Sequence, residues 1–360
     1  MEESLFIEYV KKYFPKLVLR FTRELNDSKT APTYLHTQYL PQVFSVTGQW
    51  DAISEQNQLV SADYVSMDSS LPLKKRGGVS AVGGEIPKTG IEKKLNEKEL
   101  TNLQTTIAVG ADEAQIVRSL FNDTRFVIAA QYERNEATFL EALSTGKAIV
   151  TDDNVGADIA VDYGYYAENQ FGVSALWSSS SSADPFEDFA KVQDKASGDG
   201  NAPGVLFIDD FALKNLVATD AFKDQFAFTN GISGNTRVVP TNEDALRLIG
   251  NVLGVTPVLV KRSVRFQKDG VNTNKKPWAE GRSVFAPSGA LGSLVYARLA
   301  EEAAPVAGVS YQKAANYILV SKFRTNRPSL AEFTTSQARV LPVITNVDQI
   351  YTIDTKTVQA

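Results

Sequence analysis

Two stretches bring together residue types that could do chemistry. In "GGVSAVGGE" (residues 77–85) Gly78 and Gly83 have the glycine spacing of a P-loop. Such a loop cradles phosphate with backbone amides, while a lysine reaches the β/γ-phosphates and a serine or threonine holds magnesium. Gly84 and Glu85 stand at those last two positions, and a glutamate there repels phosphate. In "VLFIDD" (residues 205–210) four apolar residues of strand type end in Asp209 and Asp210, from where a carboxylate could hold magnesium. Without a P-loop partner the simpler role for Asp209 or Asp210 is to cap the helix expected over "FALKNLVAT". Asp152 and Asp153 in "IVTDDN" read as a turn after a strand. There is no cysteine and one histidine, which excludes disulfides, thiolate metal sites and a histidine pair for zinc or iron. A Ser-His-Asp triad would have to use His36, whose flanks "PTYLHTQYL" are extended and aromatic; His36 reads as a packed or surface residue. No cofactor is implied.

The elements that would have to hold such groups belong to an ordinary folded protein. The 360 residues are 43% apolar and 22% charged, enough for one or two cores and too apolar for disorder. No run approaches the ~18 apolar residues of a membrane span, and "MEESLFIEYVKKYF" alternates charge with apolar residues where a secretory signal has an unbroken apolar core. A net charge of −5 argues against tight DNA binding through phosphates. The charge is uneven. Lys74, Lys75, Arg76, Lys88, Lys93, Lys94 and Lys98 make one stretch basic, and Asp184, Glu187, Asp188, Asp194 and Asp199 make a later one acidic, so opposite patches could meet between copies.

Along the chain, "SLFIEYVKKY" has near-helical spacing and Pro15 is expected to end that helix, leaving an extended run from Leu17 to about Val46. The basic ribbon "LPLKKRGGVSAVGGEIPKTGIEKKLNEKEL" (71–100) lies between two alternating runs, 62–74 and 91–109. The glycine pairs 77–78 and 83–84 lie near its centre, the pattern of a long two-stranded hairpin. Its apolar residues are too scattered to bury one another, so residues 77–90 are expected to contribute little to the stability of an isolated subunit and to be ordered by a neighbour. Residues 111–145 carry the periodicity of one long helix, open to a bend at "NDT" (122–124) and stopped by Gly146. Short strands then alternate with helical stretches such as "TNEDALRLIGNVLG", where Thr241 and Asp244 resemble a capping box. That mixture is α+β. "WSSSSSADPF" and "ASGDGNAPG" read as surface loops or a boundary near residue 200.

This order of parts resembles the major capsid proteins of tailed bacteriophages, whose fold is called Hong Kong 97-like, and is most similar in look to the lambda-type family. The resemblance rests on residues 17–40, on "LPLKKRGGVSAVGGEIP", on residues 264–298 and on "EFTTSQARVLPVITNVDQIYTIDT". It implies an N-terminal arm (1–60), an extended β-hairpin loop (61–105), a peripheral domain with a spine helix (106–200), an axial domain (201–320) and C-terminal strands returning to the body (321–360). It also implies an inter-subunit contact made by Lys74, Lys75, Arg76, Gly77, Gly78, Gly83, Gly84 and Lys88. The implied function is structural: copies self-assemble as pentamers and hexamers into an icosahedral shell around double-stranded DNA, in a virion assembled in the host cytoplasm. Separate scaffolding and decoration proteins and a portal are the implied partners. The chain begins with the arm directly, without a long charged helical leader, and a separate scaffold is therefore expected. Some relatives join a loop lysine to a neighbour's asparagine; Lys74, Lys75 and Lys88 are available, but the lambda-type likeness implies no such bond. Alternatives are an encapsulin-like bacterial compartment shell and, from a different class, a magnesium-dependent nucleotide hydrolase using Asp209 or Asp210.

Overall fold

The computed structural model describes residues 1–27, 29, 33–55, 79–150, 159–231, 240–268 and 270–359. The chain divides into two compact units, one built from residues 1–50, 83–139 and 293–343, the other from 51–82, 140–292 and 344–360.

The first unit opens with a helix, Ile7–Asn26, that runs straight through Pro15. The extended run expected after Pro15 is therefore helix as far as Asn26, and helix again over Leu35–Tyr39 around His36. Val10, Phe14, Val18 and Leu25 fall on one face and are buried, and Phe14 stacks on Phe121 with ring centroids 6.2 Å apart. Burying four such side chains at ~1.5–3 kcal/mol each outweighs the ~3 kcal/mol that an interior proline costs. The long helix forms as one piece, Glu113–Thr145, and "NDT" does not break it. Asn122 points to solvent while Thr124 is buried between Leu120, Phe121, Val127 and Ile128, so packing on both sides holds the turn helical. Gly146 ends the helix at φ +73°, where a Cβ would come within 2.7 Å of the Tyr165 ring.

A six-stranded sheet forms on the strand Ala331–Ile344. Residues 331–338 of this central strand pair antiparallel with Ile318–Thr325, and residues 332–339 pair antiparallel on the other edge with Lys88–Leu95. Farther along, the sheet continues through Gly292–Ala297 to Gln42–Ser45, with Ser310–Ala314 at the opposite side. The second half of the basic ribbon thus departs from a long hairpin. The strand stops at Leu95, pairs with residues far away in sequence, and gives way to a helix, Glu97–Ala108. The cause is local: Asn96 accepts from the Glu99 amide and the Glu99 side chain accepts from the Asn96 amide, a reciprocal cap that starts a helix.

The second unit is α+β as expected. Its five-stranded sheet runs in the order Gln170–Val173, Tyr351–Val358, Arg282–Ala286, Val205–Asp209, Thr256–Val260. The helices Pro185–Gly198, Asp210–Ala218, Asp220–Thr229 and Asn242–Leu253 share a core with it, centred on Trp177, Phe189, Phe222, Phe285 and Tyr351. Thr241 accepts from the Asp244 amide at 3.2 Å, so it caps its helix. In the acidic stretch, Asp184 caps the helix that starts at Pro185, and Asp188 is buried, accepting from the Ser174 amide and hydroxyl and from Trp177 Nε1. Much of the charge that looked free there serves the fold.

A buried lysine–glutamate ion pair lies in the first unit. Lys322 Nζ is 3.5 Å from Glu332, both side chains fully buried, and it donates to the Leu120 carbonyl at 3.2 Å and to Thr334 Oγ1 at 3.1 Å. Burial lowers the Lys322 pKa, and Glu332 opposes that shift. Glu332 also accepts from the Ser4 hydroxyl, which fastens the chain start. Removing one partner strands the other charge in low dielectric, so Glu332→Ala should lose about 3–5 kcal/mol in urea unfolding. The apolar double change Lys322→Met with Glu332→Leu should lose much less; an equal or larger loss would show that the pair itself is net stabilising.

Candidate functional site at the root of the ribbon

Of the ribbon residues expected to meet a neighbour, Lys74, Lys75, Arg76, Gly77 and Gly78 lie outside the described residues. Gly83 and Gly84 fall on the strand Val79–Glu85, which pairs with Gln49–Glu55, and both are exposed. Lys88 is exposed at the start of the strand paired with the central strand, opposite Arg339.

Between these pieces the ribbon is held by its own subunit. Gly48 makes a tight turn at φ +74°, and its carbonyl accepts from the Ile86 amide at 3.0 Å and from Arg339 Nη2 at 3.4 Å. Arg339 also pairs with Glu85 at 3.2 Å, and a Cβ on Gly48 would sit 2.8 Å from its guanidinium. Ile86 is 1% exposed, Trp50 is buried beside Gly84, and Thr89 Oγ1 donates to Gln131 on the long helix at 2.7 Å. The expectation that residues 77–90 matter little to the isolated subunit therefore fails from Gly84 onward. Ile86 looked like one apolar residue among charges, but it is buried, with its amide held by the Gly48 carbonyl 38 positions away. Beyond Ile86 the ribbon strand alternates exposed and half-buried residues, and Lys93 lies 4.5 Å from the centre of the Phe126 ring. Among the described residues at this root no nucleophile has a base beside it. Its chemistry is charge pairing and strand pairing.

The other candidates are structural. Asp209 caps the helix that begins at Asp210, as expected: its Oδ1 accepts from the Ala212 amide at 2.9 Å and its Oδ2 from the Gly281 amide at 3.1 Å. Asp210 is exposed and pairs with Lys261 at 2.9 Å. Asp152 and Asp153 lie outside the described residues. His36 is fully buried, packed between Tyr34 and Tyr132, with Nδ1 2.7 Å from Glu136. Glu136 also accepts the Leu35 and His36 amides at 3.0 Å, so it pins this short helix, Leu35–Tyr39, to the long one. Among the described residues no group of three or more His, Cys, Asp or Glu side chains could hold a metal ion, and no helix is long and apolar enough to cross a membrane.

The family profile of phage major capsid protein E matches residues 18–355, from within the first helix almost to the end of the last strand. The chain belongs to the phage major capsid protein E family. The fold agrees: a protein of an Escherichia coli CFT073 prophage, described as its capsid protein, superposes with a TM-score of 0.59 at 15% identity, covering 94% of this chain and 98% of that one. A phage-related protein from Bordetella bronchiseptica RB50 superposes with a TM-score of 0.53 at 12% identity, covering 96% and 98%. No curated protein sequence matches the chain. This capsid protein thus has the Hong Kong 97-like fold and a structural role in the shell.

The root and the cap each yield a test. In this capsid protein Ile86→Ala should lower subunit stability by about 2–5 kcal/mol in urea unfolding, while Lys88→Ala at an exposed position should stay within ~0.5 kcal/mol. Equal, negligible effects would mean that the ribbon is not anchored at its root. Burial raises the Asp209 carboxyl above its usual value, and the amides of Gly281, Ala212 and Phe211 pull against it. A group raised on folding binds more protons in the folded state, so its contribution to stability grows as pH falls towards its unfolded value. The stability margin of the wild type over Asp209→Asn should accordingly be wider at about pH 4 than at about pH 8 in paired urea titrations.

Proposed function

We propose that copies of this capsid protein associate head to tail into pentamers and hexamers that close an icosahedral shell around double-stranded DNA in a tailed-phage virion. The observation that carries this reading is the family match over residues 18–355. Residues 61–105 act as the loop that reaches over an adjacent copy, presenting Lys74, Lys75, Arg76, Gly77, Gly78, Gly83, Gly84 and Lys88. The anchored root supports this role, because a loop that bears load between copies needs a fixed base in its own subunit, and Glu85–Arg339 with buried Ile86 supplies one. Residues 1–60 serve as the arm, 106–200 as the peripheral domain, 201–320 as the axial domain, and 321–360 return to the body. Head-to-tail contacts close into rings of five or six when the subunits tilt by different amounts, so one sequence can serve both. A separate scaffold, a decoration protein and the portal complete the assembly in the host cytoplasm. The DNA is enclosed rather than read, in keeping with the net charge of −5. The subunit performs no catalysis.

The loop is tested by replacing residues 60–76 with a short glycine-serine turn, which leaves both strands of its base in place. The variant should unfold with an unchanged urea midpoint yet form no closed particles in negative-stain electron microscopy. Normal particles would remove the loop from the contact, and a collapsed midpoint would put it in the core. Boiled wild-type particles should run as monomer on a denaturing gel; a ladder that vanishes with Lys74→Ala, Lys75→Ala or Lys88→Ala would establish a covalent lattice instead.

A further inference from the structure

Residues 264–268 and 270–275 form a second ribbon that the sequence did not announce. Val264–Lys268 and Val271–Lys275 pair antiparallel with each other, and among the described residues with no other strand. Every residue of Val271–Lys275 is exposed, Val271 at 67%. One face is polar, with Arg265 donating to Asn274 and Gln267 to Asn272 across the strands. The other face carries Thr273 and Val271 in the open. The base is fastened: Val264 is buried, Lys275 lies 3.5 Å from Glu141, and Lys261 pairs with Asp210, while Phe266 is half-buried. A two-stranded hairpin is marginal in water by itself, so one whose outer strand is exposed along its whole length is suited to being covered by something else.

Charge indicates what covers it. Residues 261–276, "KRSVRFQKDGVNTNKK", hold six basic side chains (Lys261, Arg262, Arg265, Lys268, Lys275, Lys276) and one acidic, Asp269. The whole chain carries −5, so a segment at +5 leaves −10 on the remainder. Arg265 and Lys276 make no ion pair among the described residues. A basic arm on an acidic body is self-complementary between copies, and the segment and the body repel their own kind. We propose that the 264–275 hairpin docks on the acidic surface of a second copy of this chain, a contact additional to the residue 61–105 loop and resting on the shell-forming reading above. Each subunit then offers one arm and one acceptor, the heterologous arrangement that closes rings.

The experiment compares the wild type with Arg265→Glu/Lys276→Glu. The wild type must first yield closed particles, and its failure to do so would overturn the shell reading and this contact with it. With wild-type particles in hand, the charge-reversed subunit should keep its urea midpoint and form at least about ten-fold fewer particles at physiological salt, because like charges now face each other. Zero-length carbodiimide cross-linking of particles assembled from mixed ¹⁴N- and ¹⁵N-labelled wild-type copies should join Lys276 to a carboxylate of the other isotope. That second readout stands even where the variant folds poorly. Undiminished assembly, or no mixed-isotope cross-link from the hairpin, overturns the proposal. So does a variant that closes normally but retains less double-stranded DNA, which would turn the hairpin towards the genome.

Discussion

A strand in the middle of a sheet must find hydrogen-bond partners on both edges, and in the first unit that requirement falls on Ala331–Ile344. One edge takes Ile318–Thr325 and the other takes Lys88–Leu95, so the ribbon's root is a structural necessity of the central strand. The strand also places Thr334, Thr335 and Ser336 in the interior, where each hydroxyl needs a partner. Thr334 receives Lys322, Thr335 meets Ser321, and Ser336 donates to the Val127 carbonyl while its own oxygens accept from Gln131. The long helix is thereby tied to the sheet by polar contacts as well as by Leu120, Phe121 and Val127. Chain start, ribbon and helix are all fixed through this one strand.

For a shell subunit this division of labour is physically sensible. Groups that elsewhere do chemistry are consumed in holding shape: Asp209 and Asp188 accept from amides, hydroxyl and indole, and His36 is locked against Glu136. Fixed donors on both oxygens hold each of these carboxylates in a structural place. Basic residues gather in two stretches of the sequence, 71–100 and 261–276, and in the second of these the strand Val271–Lys275 is exposed throughout.

What could be read from the sequence was what depends on near neighbours. The Asp209 cap, the Thr241 cap, the Gly146 stop and the long helix are decided within one or two turns of chain, and they form as expected. The same locality could have revealed the helix at Glu97, since Asn96 and Glu99 have the capping-box spacing, but the alternation of the preceding strand masked it. Pro15 misled for the opposite reason. Its local rule is sound, and four buried side chains on one face override it.

The α+β class and the absence of thiol and histidine-pair chemistry were determined by the sequence itself, because composition and short-range pattern carry them. Only the tertiary structure decided that Ile86 is core, that Arg339 closes on Glu85 from 254 positions away, and that the ribbon's second half belongs to a six-stranded sheet. It alone paired "VRFQ", which reads as any strand would, with a strand, Val271–Lys275, that is exposed throughout. The physical reason is common to all of these. Burial and strand pairing are relations between segments far apart in the chain, and no residue's own type or immediate spacing states which distant partner it will meet.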